Sequence, residues 1–213
     1  MKIGVIGSGV VARTLAAGFL DLDHEVMLGT RDVSQLADFA AEHPQAHFGS
    51  AGDAASFAEL ALLAVKGTAA VEVARGVASA LAGKTVIDAN NPIADVAPVH
   101  GVLEYFTGSN DSLLERLQQA CPAVRFVKAF NSMGAPVMVQ PKLAGGPPTM
   151  FIAGDDAAAK AQVAQLAQAL GWDVADMGPA LAARAIEPLC RLWCIPGFVA
   201  NDWVHAFKVL HPA

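Results

Sequence analysis

Short apolar runs alternate along the chain with longer segments whose apolar positions recur at helical spacing. The apolar runs predict strands at 2–6, 24–28, 60–65, 85–89, 124–130, 149–154 and 172–176. The amphipathic or alanine-rich segments predict helices at 10–20, 34–42, 68–81, 112–120, 155–170, 179–193 and 201–210. Pro188 should kink or restart the helix at 179–193, because a proline ring does not fit inside an unbroken helix. Short strands joined by helices indicate a doubly wound α/β fold with a mostly parallel sheet.

We expect residues 1–213 to form one domain, because no repeat and no clear linker divides them. Residues 1–132 would supply the core of alternating strands and helices. Residues 133–213 contain two further predicted strands and would form a C-terminal strand and helix extension. We expect this extension to complete the sheet, the site and a subunit interface.

The first predicted strand runs into a glycine-rich turn of the form G-x-G-x-x-A, which opens the first helix. Between a strand and a helix, this pattern is typical of dinucleotide binding and of a Rossmann-type fold. Gly7 permits the tight turn, Gly9 lets the backbone approach a pyrophosphate, and Ala12 allows close packing of helix on strand. The free N–H groups of the helix N-terminus favour phosphate. The predicted cofactor-binding residues here are Gly7, Ser8, Gly9, Val10, Val11 and Ala12.

The end of the second predicted strand favours NADP(H) over NAD(H). An NAD-binding protein usually has Asp or Glu there to hold the ribose 2′-hydroxyl, whereas this chain has Gly29. No carboxylate at that position repels a 2′-phosphate, and Thr30 and Arg31 can bind one, with Ser8 as a helper. The alternative is that Arg31 is a surface arginine paired with Asp32.

Ligands of such folds bind at the carboxyl ends of the strands, and here those ends carry amides, small residues and few titratable groups. Val65 and Lys66 follow one strand, Asn91 and Pro92 the next, and Asn131 the one after. The catalytic residues are unassigned, with Lys66 and Asn131 as candidates, and only Lys66 can exchange a proton. Transfer of a hydride into a conjugated ring requires little proton transfer by the protein. The site therefore favours transfer between two flat rings.

Composition narrows the class of protein further. The net charge of −6 argues against general binding of nucleic acid. No apolar run is long enough to span a membrane, the N-terminus does not resemble a signal peptide, and three cysteines make no disulfide framework. We therefore expect a cytoplasmic protein with no membrane partner. Apolar residues reach 54% and charged residues only 16%, which predicts a homodimer that buries part of its surface.

Several residues near the predicted site have both a structural and a functional interpretation. Cys190 and Cys194 share a face of a continuous helix, either as small core residues, which we expect, or as a metal or redox pair. Zinc needs four ligands and no second cysteine pair is present, so we expect no metal. Glu187 is either a helical partner of Arg191 or a buried group near the site. Lys128 is expected to be structural or at the surface.

Six segments resemble the NADP oxidoreductases that depend on the deazaflavin coenzyme F420, and the related NADPH-binding domain of six-transmembrane ferric reductases. They are GSGVVARTLAAGF, GTRD, NNPI, KAFN, IAGDD and ARAIEPLCRLWCIPGF. The resemblance implies that Ser8, Thr30 and Arg31 surround the 2′-phosphate. The residues that it implies around the nicotinamide and the acceptor are Lys66, Asn91, Pro92, Asn131 and the helix start near Ala180 and Leu181.

The resemblance implies an NADPH-dependent oxidoreductase that passes a hydride to a deazaflavin or flavin-like small molecule. Two alternatives stay open: a reductase of a small carbonyl or imine substrate, and a non-catalytic NADPH-binding sensor. The chain departs from the family at Gln35, near a place where members can carry a further basic residue. The loops at 90–92 and 130–131 are also more polar than expected for a deazaflavin enzyme.

Overall fold

The computed structural model describes residues 1–212, which form eight strands and eight α-helices. The strands are β1 (Lys2–Ile6), β2 (Glu25–Gly29), β3 (His47–Gly49), β4 (Leu60–Leu63), β5 (Thr85–Asp88), β6 (Arg125–Lys128), β7 (Thr149–Ile152) and β8 (Asp173–Asp176). The helices are α1 (Val10–Asp21), α2 (Ala37–Glu42), α3 (Ala51–Phe57), α4 (Gly67–Leu81), α5 (Leu113–Ala120), α6 (Ala157–Ala169), α7 (Ala183–Ile186) and α8 (Pro188–Ala200). Short 3-10 turns occur at Val33–Leu36, Ala135–Val137 and Ala180–Ala182.

Six of the strands form one parallel sheet in the order β3-β2-β1-β4-β5-β6. β4 is buried at every position, which explains why its sequence is continuously apolar rather than alternating. The strand order reverses between β1 and β4, so a crevice opens there at the carboxyl ends of the strands. The predicted Rossmann-type α/β fold is confirmed.

Helices cover both faces of this sheet. On one face, Leu15 and Phe19 of α1 and Val163 of α6 belong to a core that includes Ile3 and Val5 of β1. On the other face, α3 packs against β1 and β2, α4 against β4, and α5 against β6, with small or aliphatic side chains. The sheet is therefore shielded from water on both sides, as a parallel sheet requires.

The C-terminal extension builds a second, two-stranded sheet in which β7 and β8 are parallel. One antiparallel bridge, between Lys128 of β6 and Ala153, joins it to the larger sheet. The extension therefore adds a small sheet of its own, and β7 does not pair along the length of β6. The loop that precedes β7 ends in two prolines, which cannot donate to a strand partner.

Two predictions for the last third of the chain need correction. The helix expected at 179–193 is divided into a 3-10 turn, α7 and α8, and α8 starts at Pro188 but continues to Ala200. The helix expected at 201–210 is wrong, because Asn201 ends α8 in a left-handed conformation. The following backbone instead bonds to β7: Thr149 N–H donates to Phe207 O, and Val209 N–H donates to Thr149 Oγ1.

Two short elements, β3 and α3, were not among the predicted ones. β3 has three residues, too few to show a pattern, and α3 contains a glycine. The signal for α3 is its capping box, in which Ser50 and Asp53 each bond the other's backbone N–H. Within residues 1–212, the helices lack the combination of length and apolar character that crossing a bilayer requires.

Two glycine-to-alanine substitutions test the packing of β1 on α3. A Cβ at Gly4 would lie 2.1 Å from the Ala54 carbonyl oxygen, whereas a Cβ at Gly76, inside α4, would meet nothing within 4 Å. We expect Gly4→Ala to lower the free energy of unfolding by about 3 kcal/mol through overpacking. Gly76→Ala should raise it by about 0.5–1 kcal/mol. Urea unfolding measures both, and a neutral Gly4→Ala would contradict the packing described.

Candidate functional site

A cleft of about 880 Å³ lies over the carboxyl ends of β1, β2, β4 and β5. Its volume falls within the range of small-molecule and cofactor sites. The predicted residues that line it are Gly7, Ser8, Gly9, Val10, Val11, Thr30, Arg31, Val65, Lys66 and Asn91. Three predicted residues do not line it: Ala12, Pro92 and Asn131, which are buried. The fold therefore gathers residues from four separate strand ends at one opening.

The glycine-rich turn at the cleft contains two glycines, Gly7 and Gly9, and only Gly7 is required by the surrounding protein. Gly7 has a φ of 142°, and a Cβ on it would lie 2.1 Å from the Ala64 carbonyl oxygen. A Cβ on Gly9 would meet nothing within 4 Å, so the protein itself does not require a glycine there. Gly9 is also the N-cap of α1, and no side chain caps its N–H groups. The space and the free donors fit an anion at the start of α1.

Arg13, which the sequence analysis missed, fixes this turn to the neighbouring loop. Its Nε donates to Ser8 O and its Nη2 donates to Gln35 O, each at 2.8 Å. A signal was present, because a cation in the first turn of a helix faces the positive end of the helix dipole. Such a residue needs a specific partner to offset that repulsion, and here it has two carbonyls.

Polar side chains converge beside the end of β2. Thr30 Oγ1 donates to Ser8 Oγ, and Ser8 Oγ donates to Gln35 Oε1, each at 3.2 Å. Arg31 is exposed and forms no ion pair with any residue in 1–212. The alternative pairing with Asp32 is not observed, because Asp32 accepts hydrogen bonds from the Ser34 hydroxyl and N–H. Those bonds lower the pKa of Asp32 below its usual value.

Gly29 is required by packing as well as by charge. A Cβ there would lie 2.7 Å from both Ala54 Cβ and Ser50 O, because α3 starts directly against the end of β2. The position that often carries an acidic residue in NAD-binding proteins therefore has no room for one in this chain.

Two amides join the ends of β5 and β6. Asn91 Nδ2 donates to Asn131 O at 2.8 Å, and Asn131 Nδ2 donates to Asn91 Oδ1 at 3.1 Å and to Ile186 O at 3.2 Å. Asn131 is 3% exposed and has its amide donors committed to the protein. It therefore lies one layer behind the cleft and holds Asn91, which lines it.

Lys66, the other catalytic candidate, lies at the cleft surface. Its Nζ is 2.5 Å from Asp95 Oδ1, and the two side chains are 66% and 58% exposed. The ionisable residues among those lining the cleft are Arg31, Lys66 and Asp95. Since none of the three is buried, the cleft offers no desolvated acid or base to a substrate.

A buried ionic cluster lies behind these loops, and it decides between the alternatives left open for Lys128 and Glu187. Lys128 is fully buried, with its Nζ 2.6 Å from Asp88 Oδ2 and 2.8 Å from Glu187 Oε1, so it is a structural lysine and not a surface one. Glu187 is likewise buried and does not pair with Arg191, whose guanidinium stacks over Tyr105. Burial alone would lower the pKa of Lys128, but the two carboxylates together raise it.

The cluster is tied to the cleft through Asn90, a residue that the sequence analysis did not single out. Lys128 Nζ donates to Asn90 O at 2.8 Å, and the Asn90 side chain bonds both Asp88 and the N–H of Val65. Glu187 also accepts from the N–H groups of Leu113 and Leu114 at the start of α5. One buried ammonium thus fixes the strand ends that form the inner wall of the cleft.

The remaining candidates are not at the cleft. Cys190 and Cys194 are buried with their Sγ atoms 4.0 Å apart, which agrees with small core residues. Among residues 1–212 there is no group of three or more His, Cys, Asp and Glu side chains arranged to hold a metal. Ala180 is buried and Leu181 is 53% exposed, and neither lines the cleft.

Comparison with known proteins agrees with the geometry of the cleft. The family model for NADP oxidoreductases, coenzyme F420-dependent, matches residues 2–92. A crystal structure from Arthrobacter sp. FB24, with a proposed assignment as an F420-dependent NADP reductase, is 36% identical with a TM-score of 0.92, and the match covers 99% of this chain and 100% of that one. A hypothetical protein from Sinorhizobium meliloti is 26% identical with a TM-score of 0.74, over 86% and 87% of the two chains.

A curated relative is longer than this chain. The metalloreductase STEAP3 of Rattus norvegicus is 31% identical over 203 residues, which cover 93% of this chain. This chain spans 39% of the length of that relative.

Substituting the buried and the exposed lysine in the same way tests the ionic cluster. We expect Lys128→Met to lower the free energy of unfolding by about 3–5 kcal/mol, because it leaves two carboxylates buried without a counterion. Lys66→Met should change it by less than about 1 kcal/mol, because an exposed ion pair contributes little. Denaturant unfolding without added nucleotide compares the two. Equal effects would show that the cluster does not hold the strand ends together.

Proposed function

The chain belongs to the family of coenzyme F420-dependent NADP oxidoreductases, and we propose that it transfers a hydride between NADP(H) and a deazaflavin or flavin-like ring. The observation that carries this proposal is the make-up of the cleft. It combines a dinucleotide-binding turn and a free arginine beside β2 with an inner end that, within residues 1–212, lacks a buried proton donor or acceptor. A nicotinamide supplies a hydride, and a conjugated ring can take it without a proton from the protein.

The glycine-rich turn supports binding of the dinucleotide pyrophosphate by Gly7, Ser8, Gly9, Val10 and Val11. These residues line the cleft, and the N–H groups at the start of α1 lack a side-chain cap. Such N–H groups carry the positive end of the helix dipole and bind phosphate oxygens without a charged side chain. Ala12, which is fully buried, allows α1 to pack closely enough for this contact.

Ser8, Thr30 and Arg31 support selection of the ribose 2′-phosphate. The hydroxyls are already held near each other by hydrogen bonds to one another and to Gln35, so little entropy is lost when they bind an anion. Arg31 has no competing carboxylate, and its guanidinium matches two phosphate oxygens. Gln35 contributes a neutral amide where a further basic residue can stand in the family.

We place the nicotinamide and the acceptor ring at the inner end of the cleft, with Val65, Lys66 and Asn91 around them. Pro92, which follows Asn91, is buried and belongs to the wall behind this end. Asn91 lines the cleft with its side-chain amide donating to Asn131 O, so it offers a fixed and not a mobile polar group. We assign Asn131 the role of positioning Asn91. Rigid walls of this kind align two rings, and alignment is the main requirement for hydride transfer between them.

Two further proposals concern organisation. We propose that the chain acts as one domain and as a homodimer. The support for the dimer is the apolar surface of α8, where Leu192, Phe198 and Val199 are 56%, 47% and 68% exposed. Apolar side chains exposed together on one helix are typical of a surface that another protein covers.

Replacing Arg31 tests the choice of nucleotide. We expect Arg31→Ala to raise the dissociation constant for NADPH about 10- to 100-fold, because a charge-assisted hydrogen bond to the 2′-phosphate is lost. The constant for NADH, which lacks that phosphate, should change by less than about threefold. Tryptophan fluorescence titration measures both. Equal losses for the two nucleotides would refute the assignment.

The proposed reaction is tested by NADPH oxidation with the deazaflavin coenzyme or free flavin as acceptor and with NADH as the control donor. We expect NADPH-selective reduction of the ring, and we expect Lys66→Met to lower kcat by less than about tenfold, since general acid–base catalysis contributes about 10²–10⁴-fold. A loss of several orders of magnitude in Lys66→Met would favour a carbonyl or imine reductase. Tight NADPH binding without turnover on any acceptor would favour the sensor.

A further inference from the structure

A second cavity adjoins the cleft and takes no part in the proposed cofactor site. It is a groove of about 630 Å³ between α4 and α5, and we call it the α4–α5 groove. Gly67, Ala94 and Asp95 line both the groove and the cleft. A ligand whose ring lies at the inner end of the cleft can therefore extend past these three residues into the groove.

The α4–α5 groove carries an unpaired positive charge. Arg75 of α4 lines it and forms no ion pair with any residue in the described part of the chain. Arg116 of α5 also lines it, but its charge is balanced by an ion pair with Asp111. Arg75 is therefore the cation that is available to a ligand.

No unbalanced carboxylate opposes this charge among the residues that line the groove. Asp95 is the acidic residue of the lining, and its Oδ1 is 2.5 Å from Lys66 Nζ. Thr68 and Gln119 add neutral hydrogen-bonding groups. The lining of this groove is thus net positive in a protein whose overall charge is −6.

One wall of the groove is apolar, and it suits an uncharged carbon chain that joins a ring to a charged end. Val71 and Phe106 line it, and both belong to the partly buried fringe of the core beneath α4 and α5. The Arg116 guanidinium lies 5.3 Å from the centre of the Phe106 ring, which is a cation–π contact. An apolar wall beside a cation suits a chain of carbon atoms that ends in an anion.

We propose that the α4–α5 groove holds an anionic tail of the hydride acceptor, with Arg75 as its ion-pair partner. The identity of the ligand as a hydride acceptor rests on the proposed function, whereas the anion site itself does not. The groove would then select among acceptors that carry the same ring. An acceptor whose tail ends in an anion would be preferred over one whose tail is neutral.

Riboflavin and flavin mononucleotide test this directly, because they share one ring and differ by a terminal phosphate. We expect the native protein to bind flavin mononucleotide about tenfold more tightly than riboflavin when saturating NADP⁺ fills the phosphate sites of the cleft. Quenching of flavin fluorescence measures both constants without turnover. Reduction of the two flavins by NADPH should show the same preference in kcat/KM.

Arg75→Gln should bring the ratio of the two binding constants to about one, and Arg75→Lys should keep part of the preference. The matched control is Lys142→Gln, which removes one positive charge from an exposed position outside both cavities and should keep the ratio. A tenfold preference that Arg75→Gln leaves intact would overturn the proposal. Equal binding of the two flavins by the native protein would do so as well.

The binding and turnover readouts separate the two proposals. If flavin mononucleotide binds through Arg75 but neither flavin nor the deazaflavin is reduced, the groove is an anion site and the proposed function fails. If both flavins are reduced at the same kcat/KM and Arg75→Gln changes nothing, the proposed function stands and the groove proposal fails.

Discussion

The arrangement of the cleft depends on one buried ammonium group. Lys128 has no access to water, so its charge must be balanced inside the protein, and Asp88 and Glu187 do so from β5 and from the start of α8. The same ammonium group bonds Asn90 O, and the Asn90 side chain bonds Val65 N–H at the end of β4. Three strand ends and two helix starts are thereby fixed relative to one another. The polar rim of the cleft is the outer layer of this cluster, and its rigidity follows from the cost of leaving any member unpaired.

Features encoded by neighbouring residues could be predicted from the sequence. The parallel sheet follows from short apolar runs, and the cofactor turn follows from two glycines and an alanine at fixed spacing between a strand and a helix. Features that join distant segments could not. From the sequence, Lys128 is an ordinary strand lysine, because its partner Glu187 is distant in the chain. Likewise, Arg13 is an ordinary helix surface residue, because the fold is needed to bring it to Gln35. The region at 201–210 has a helical pattern, but its backbone bonds to β7 instead, because tertiary partners override local propensity.

The two halves of the cleft consequently differ in whether neighbouring or distant residues of the chain build them. The half that we propose for the dinucleotide is built from one continuous turn and the end of the next strand, so residues 7–12 and 29–31 are enough to predict its chemistry. The half that we propose for the acceptor is built from loops after β4, β5 and β6 and from the adjoining α4–α5 groove. Its polar groups are largely committed to one another, as in the Asn91–Asn131 pair. Shape and electrostatics, and not a proton-transferring side chain, are what this half offers to a substrate.

The proposed function requires that a hydride pass directly from the nicotinamide to a ring in the cleft, with no proton supplied by the protein. The most direct measurement uses NADPH deuterated on either face of its reactive carbon and a deazaflavin, whose acceptor position is a carbon that does not exchange with water. We expect deuterium from one face to appear on that carbon in the reduced deazaflavin, in a one-to-one ratio with the NADPH oxidised. Loss of the label to solvent, or oxidation of NADPH without label in the acceptor, would contradict it.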